Sequence, residues 1–351
     1  MREYLSAVFQ RFPSFSLSLD LRRGTLSLIN IGGPIIAGLL SGESSAGLVG
    51  GITGLLLTLS DTEGPLFARL ATTVGVAFGI AIGALLGGWL APERPIFWIV
   101  FFVGIFAAGL LNQVGKGPHF AVRFGAIAFA VMASLPAMTL MPELYFAAAV
   151  ALSLITKLVD QFSNGPLPPA GPWPGSITAS IWHWLRFALA YALAATAGLW
   201  IGVQTGSIRA VWISAIVLVF MLPDLRVTYT RIFEGVIGTM LAVLTVWVLT
   251  LAGPSPAVLA SLILLFAFTL PSQLPHFWLF SGLIAAIVLI AWSLASSDPA
   301  IESLLLWERL EDTLIAAVLV AAVTLLFFPR ESRSSLAALF GARARPSRQG
   351  R

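Results

Sequence analysis

The sequence predicts an all-α polytopic membrane protein of about twelve transmembrane helices in two parallel six-helix repeats. Three observations predict it. Hydrophobic residues make up 58% of the chain and charged residues only 10%, with a mean hydropathy of +0.93, whereas soluble domains carry about 25% charged residues. Apolar runs near the roughly 20 residues that cross a bilayer recur twelve times. One order of landmarks also occurs twice, as Leu21-Arg22, Asp61, Arg69 and Pro118-His119-Phe120, then as Leu185-Arg186, Asp224, Arg231 and Pro275-His276-Phe277. Arg22 precedes Asp61 by 39 residues and Arg186 precedes Asp224 by 38, so register is kept as well as order.

Residues 1–20 carry Arg2, Arg11 and Pro13 without a sustained apolar stretch or a small-residue cleavage site. They read as an amphipathic cytoplasmic segment rather than a secretory signal. The first repeat, 21–160, holds runs at about 24–41, 45–60, 66–91, 95–115, 120–137 and 142–160. In its third run Gly75, Gly79, Gly83 and Gly87 recur every four residues and leave one helical face without side chains, as close helix packing requires. A substrate-facing groove is the alternative use of that face. Residues 161–180 contain five prolines and three glycines, Gly165 to Gly175, and read as an extended cytoplasmic linker because proline lacks an N–H donor and fixes φ. The second repeat, 181–330, offers runs at about 184–204, 208–222, 232–252, 255–271, 277–296 and 303–329. Gly235 and Gly238 with Ala242 echo the glycine face of the first repeat, so each repeat is expected to contain one closely packed helix pair. A basic tail, 331–351, ends in Arg343, Arg345, Arg348 and Arg351 and suits contact with anionic membrane lipid.

An even span count puts both termini on one side. With both inside, seventeen of the twenty Lys and Arg residues are cytoplasmic and only Arg94, Arg209 and Arg309 lie outside, a bias that sets orientation in the inner membrane of a bacterium. The pI near 10 is then a topology signature, and no nucleic-acid partner is expected. The chain has no cysteine, its three histidines are far apart, and no phosphate-cradling Gly-Lys-Ser/Thr loop occurs. The sequence therefore points to no enzyme, no metal site and no cofactor.

The string Arg231-Ile-Phe-Glu234-Gly-Val-Ile-Gly238-Thr239, preceded by Pro223-Asp224, resembles the fusaric acid resistance (FUSC) type of membrane protein, as does Arg309-Leu-Glu311-Asp312-Thr313 leading to Phe328-Pro329-Arg330. That family includes bacterial aromatic acid exporters and is distantly similar to plant aluminium-activated malate channels. The resemblance covers roughly residues 17–330. The first half departs from the pattern, because Arg69 is followed by Thr72-Thr73 and Gly75 rather than Gly-Thr. The large cytoplasmic domains common in the exporters are absent from this sequence. The resemblance implies efflux of small organic, aromatic carboxylic acids, with a periplasmic adaptor protein and a homodimer as partners. A passive organic-anion channel and a non-transporting scaffold of an envelope complex are the alternatives.

Candidate site residues follow from the cost of charge in a bilayer. Arg69, Arg231 and Arg309 are candidate substrate ligands, since a guanidinium forks onto the two oxygens of a carboxylate; snorkelling explains Arg69 and Arg231 equally well. Glu308, Glu311 and Asp312, with His119 and His276, are candidate gating or proton-responsive groups, with Arg309 expected to pair with Asp312 at i+3. Structural ion pairs and interfacial histidines are the competing readings. Gly75, Gly79, Gly83, Gly87 and Gly238 are assigned to helix packing. Asn112 and Lys157 receive no role.

Overall fold

The computed structural model of the protein describes residues 19–62, 64–90, 92–134, 141–167, 179–207, 210–274, 276–295 and 299–339. The N-terminal segment up to residue 18, residues 168–178 of the linker, and the tail arginines fall outside them. Each of the twelve apolar runs is occupied by a helix. These are α1 (Leu21–Ser41), α2 (Ser44–Leu59), α3 (Leu66–Trp89), α4 (Pro95–Leu111), α5 (Lys116–Ser134) and α6 (Met141–Asn164), then α7 (Ile181–Gln204), α8 (Val211–Phe220), α9 (Leu225–Ala252), α10 (Pro256–Thr269), α11 (Phe277–Ala295) and α12 (Pro299–Phe327). A thirteenth, α13 (Pro329–Leu339), follows, so the tail expected from residue 331 begins as a helix. The linker expected from 161 likewise begins late, because α6 runs to Asn164 and stops at Gly165, whose φ is +72°.

Eight of these helices are long and apolar enough to cross a membrane: α1, α3, α6, α7, α9, α10 with the 3-10 turn that extends it to Gln273, α11 and α12. The expected count of about twelve full spans is too generous for the rest. The apolar helices α2, α4 and α8 are shorter, and at 1.5 Å per residue the ten residues of α8 rise about 15 Å, half of a core about 30 Å thick. Helix α5 is long but carries Lys116, His119 and Arg123 in its first turns. Lipid contact is written on the outside of the bundle, where Phe67, Phe78, Trp89, Trp182, Trp200 and Trp307 are all more than half exposed; tryptophan is enriched near membrane interfaces.

Local rules explain the helix ends. The Asp20 side chain accepts from Arg23 N–H at 3.0 Å and starts α1. Ser180 caps α7 and Asp224 caps α9, the latter accepting from the N–H groups of Arg226 and Val227. Gly42 stops α1 and Gly253 stops α9 in the left-handed region, at φ +77° and +57°. A π-turn over Leu28–Gly32 interrupts α1 and carries the buried Asn30; such turns gather at functional sites.

Packing follows one scheme in both halves. In the first, α3 lies along α5, α2 along α6, α1 along α2 and α4 along α5. Advancing each helix by six gives contacts that also occur, α9 with α11, α8 with α12, α7 with α8 and α10 with α11. The seam between the halves obeys the same shift, since α4 meets α7 as α10 meets α1, and α2 meets α11 as α8 meets α5. Glycine makes the tightest of these contacts. Gly79, Gly83 and Gly87 on α3 abut the backbone carbonyls of Ala121, Gly125 and Phe129 on α5. On the other pair, Gly238 abuts the Trp278 carbonyl, and a Cβ on Gly282 would stand 2.9 Å from the Gly238 oxygen. Gly75 corrects the expectation for its ladder: nothing lies within 4 Å of its Cβ position, so it takes no part in this contact.

Candidate functional site: a charged cavity at one end of the seam

Helix ends that the chain separates widely meet at one end of the bundle. Asp61 follows α2, Arg69 lies in the second turn of α3, Lys116 opens α5, Lys157 and Asp160 close α6, and Arg22 and Arg23 open α1. Arg69 is fully buried and its guanidinium is shared by two carboxylates. Nε and Nη2 donate to Asp61 at 3.3 and 3.0 Å, and Nη1 donates to Asp160 at 2.8 Å. Asp160 also accepts from Arg22, Nε at 2.6 Å and Nη2 at 3.0 Å, and from Asn164 at 3.2 Å. Lys157 is buried, with Nζ 3.6 Å from Asp61 and donating to the Thr73 hydroxyl. Thr73 in turn donates to the Arg69 carbonyl at 2.9 Å. Lys116 Nζ donates to the backbone carbonyl of Asp61 at 2.7 Å, and Arg23 pairs with Asp20 at 3.4 Å. Five cationic side chains therefore face the three carboxylates of Asp20, Asp61 and Asp160.

A cavity of about 140 Å³ opens beside this network at the seam. Arg23, Lys116, Lys157 and Asp61 supply its charge, and Asn30 and Thr58 supply neutral polar atoms. Leu26, Leu59 and Leu167 supply apolar lining, as do Leu270, Pro271, Leu274 and Phe280 from the second half. Asn30 is held in place by a 2.9 Å bond from Thr156, and Leu167 by an antiparallel bridge to Gly64. A hydrophobic cavity of roughly 150 Å³ accommodates benzene, so this one has room for a single ring. Excess positive charge together with hydrocarbon is what an aromatic anion requires of its surroundings.

Sequence reasoning placed some of this and missed much of it. Arg69 corrects the expectation of two matched, receptive arginines: closed to solvent and held by two carboxylates, it has no edge left for a substrate. Arg231 differs, with Nη1 donating to the Val219 carbonyl at 3.1 Å and its guanidinium 4.7 Å from the Phe277 ring centroid. Lys157 and Asp160, passed over in the sequence, carry the network; their signal was an i, i+3 pair of opposite charges inside an apolar helix. His119 is buried in the protein, and its Nδ1–H donates to the Ala108 carbonyl at 2.8 Å. His276 is buried too, in the turn before α11.

The α12 cluster is elsewhere. Asp312 lies fifteen residues before Phe327, about 22 Å along the helix from the end that adjoins α13. Among the described residues Arg309 and Asp312 form no ion pair within 4 Å, which corrects the expected i+3 pair. Arg309 instead lies 4.8 Å over the Trp212 ring, while the Asp312 carboxylate is buried with Oδ2 unbonded. Glu308 accepts from Ser207 at 3.4 Å, and Glu311 is exposed. No group of residues suited to hold a metal ion occurs among the described residues.

Comparison with known proteins agrees with the resemblance read from the sequence. Residues 188–323, most of the second half, match the family described as fusaric acid resistance protein-like, and this match supports membership of that family. Neither the curated proteins nor the solved structures give a match. With eight helices able to cross a bilayer, the chain is a multi-pass membrane protein.

Proposed function

We propose, starting from the chain's place in the fusaric acid resistance protein-like family, that it is an inner-membrane transporter that exports small aromatic carboxylic acids. The seam cavity carries this reading: a single-ring volume lined by leucines and Phe280 together with Arg23, Lys116 and Lys157. Fusaric acid is itself a pyridine carboxylic acid, a ring with one carboxylate, which is the chemistry this lining suits. The matching contacts of α1–α6 and α7–α12 support two parallel repeats of one unit, and carriers place their substrate sites between such repeats. The positive-inside bias puts the cavity at the cytoplasmic end, where a substrate bound for export enters. The sequence carries no nucleotide-binding loop, and export against a gradient draws on an ion gradient or on a partner.

Uptake of radiolabelled benzoate and picolinate into inverted vesicles, normalised to protein abundance, tests the reading. Lys116→Gln is expected to raise KM several-fold, since it removes one of the three cations at the cavity while leaving the Arg69 network intact. Arg226→Lys, on the exposed first turn of α9, is expected to behave as wild type. Uptake no greater than that of empty vesicles for every acid tried would overturn the transporter reading. Equal KM for wild type and Lys116→Gln would remove the cavity from it.

A further inference from the structure

The second half places a different charge pattern at the positions corresponding to the Arg69 network. Under the six-helix shift, α9 and its Arg231 stand where α3 and its Arg69 stand. Arg69 has two counter-ions, and Arg231 has neither. Asp224, in the landmark position of Asp61, is turned into the cap of α9, accepting from Arg226 N–H at 2.9 Å. The last turn of α12, which corresponds to the turn of α6 that carries Asp160, offers the neutral Thr324, bonded to the Tyr229 hydroxyl at 2.9 Å.

A second guanidinium adds to the imbalance. Arg123, in the third turn of α5, is 5% exposed and makes no hydrogen bond or ion pair among the described residues. Its guanidinium lies over the rings of Phe120 and Phe124, at 5.5 and 5.6 Å. Arg231 and Tyr191 donate to neighbouring carbonyls, Val219 and Leu218, and the Tyr191 ring lies 6.3 Å from that of His119, one helical turn before Arg123. Five ionisable groups meet here. They are Arg123 and His119 from α5, Tyr191 from α7, and Arg231 and Glu234 from α9. The Tyr191 hydroxyl is committed to the Leu218 carbonyl at 3.0 Å, and Glu234 interacts with the backbone at Trp278. Neither Glu234 nor Asp224 comes within 4 Å of Arg231 as an ion pair among the described residues.

Two sheltered cations with no bonded carboxylate are costly in a low-dielectric interior. Aromatic rings attract both guanidinium groups as a π-system attracts a cation without accepting their N–H bonds, and among the described residues those N–H groups make one bond, from Arg231 Nη1 to Val219. Such N–H groups bind an anion. We propose that Arg123 and Arg231 form an anion site, separate from the seam cavity, that takes one small monovalent anion, chloride or an organic carboxylate. The bound anion does for Arg231 what Asp61 and Asp160 do for Arg69. This inference does not rest on the cavity being the transport site.

The test follows thermal unfolding of the purified full-length protein by tryptophan fluorescence. Sodium chloride or sodium benzoate is titrated at constant ionic strength against the sodium salt of HEPES, whose anion is too bulky for the site. Any benzoate bound in the seam cavity stabilises wild type and Arg123→Leu alike, so the Arg123-dependent part of the shift is read by difference. Wild type is expected to show a saturable rise in midpoint larger than that of Arg123→Leu, and Arg123→Leu in anion-free buffer is expected to melt no lower than wild type, since it removes an uncompensated charge. A rise with chloride alone assigns the site to inorganic anions, and a rise with benzoate alone assigns it to carboxylates. No saturable rise, an equal rise in Arg123→Leu, or a lower anion-free midpoint for that variant would overturn the proposal. If Arg123→Leu yields no folded protein, Arg123→Lys decides, because it keeps the charge and loses the fork. At least tenfold more anion for half-saturation is then expected, and equal half-saturation overturns the proposal.

Discussion

Asp160→Asn isolates the interaction that holds the first six helices together at their charged end. The carboxylate takes two bonds from Arg22 and one from Arg69, at 2.6, 3.0 and 2.8 Å, and so ties α1, α3 and α6. The amide keeps the shape and removes the charge, leaving Arg69 fully buried with Asp61 as its single counter-ion. Removing one partner of a buried pair costs about 3–5 kcal/mol, and the low end applies because Arg22 keeps a quarter of its side chain in solvent. At about 1.4 kcal/mol per decade, roughly a hundredfold shift toward the unfolded state is expected. Reversible unfolding in mixed micelles measures it, in a double-mutant cycle with Arg69→Met, where contacting groups couple by about 0.5–3 kcal/mol. A loss below about 1 kcal/mol for Asp160→Asn, or additivity of the two substitutions, would refute the claim that this carboxylate neutralises Arg69.

Three further outcomes are expected. Gly83→Leu lowers the folded protein recovered from membranes several-fold, since a side chain there meets the Gly125 backbone, whereas Gly75→Leu is tolerated; both are read by fluorescence size-exclusion of tagged protein. Reporter tags after Arg351 and within residues 168–178 report the cytoplasm and one at Asp298 the periplasm; a periplasmic linker would contradict parallel repeats. Asp312→Asn folds normally, because Oδ2 has no bond to lose, and flattens the dependence of vesicle uptake on an imposed pH gradient; an unchanged dependence removes Asp312 from proton coupling.

Helix placement was legible in the sequence because a bilayer imposes one length and one composition on every span. The boundaries that failed are those where charge or brevity blurs that rule, as in α5 with Lys116, His119 and Arg123, or α8 with its ten residues. The glycine contacts were legible as periodicity, though not their direction: Gly75 and Gly79 are both on the four-residue ladder, yet only Gly79 meets α5. The charged network was not legible, because its members come from four chain segments, with Arg22 bonding Asp160 across 138 residues. Arg69 and Arg231 read alike as sequence, and what distinguishes them is whether a neighbouring helix end presents a carboxylate. Nothing local to either arginine states that.

This difference has a physical consequence under the proposed reading of a transporter built from like halves. If both arginines were neutralised by built-in carboxylates, the two sides of the seam would be electrostatically equal and neither would favour a bound anion. Fixing the counter-ions at Arg69 lets that end keep its shape whether or not an anion is present, which suits a cavity that must empty as well as fill. Leaving Arg231 and Arg123 without a bonded carboxylate is what, under the proposal, makes the opposite side of the seam depend on an anion from solution. Transport in anion-depleted vesicles separates the two roles: restoring chloride is expected to raise the rate for wild type and to leave Arg123→Leu unchanged, while both retain the substrate KM set by the cavity. A chloride effect that moves KM in both proteins alike would instead place that anion in the cavity, in competition with the substrate.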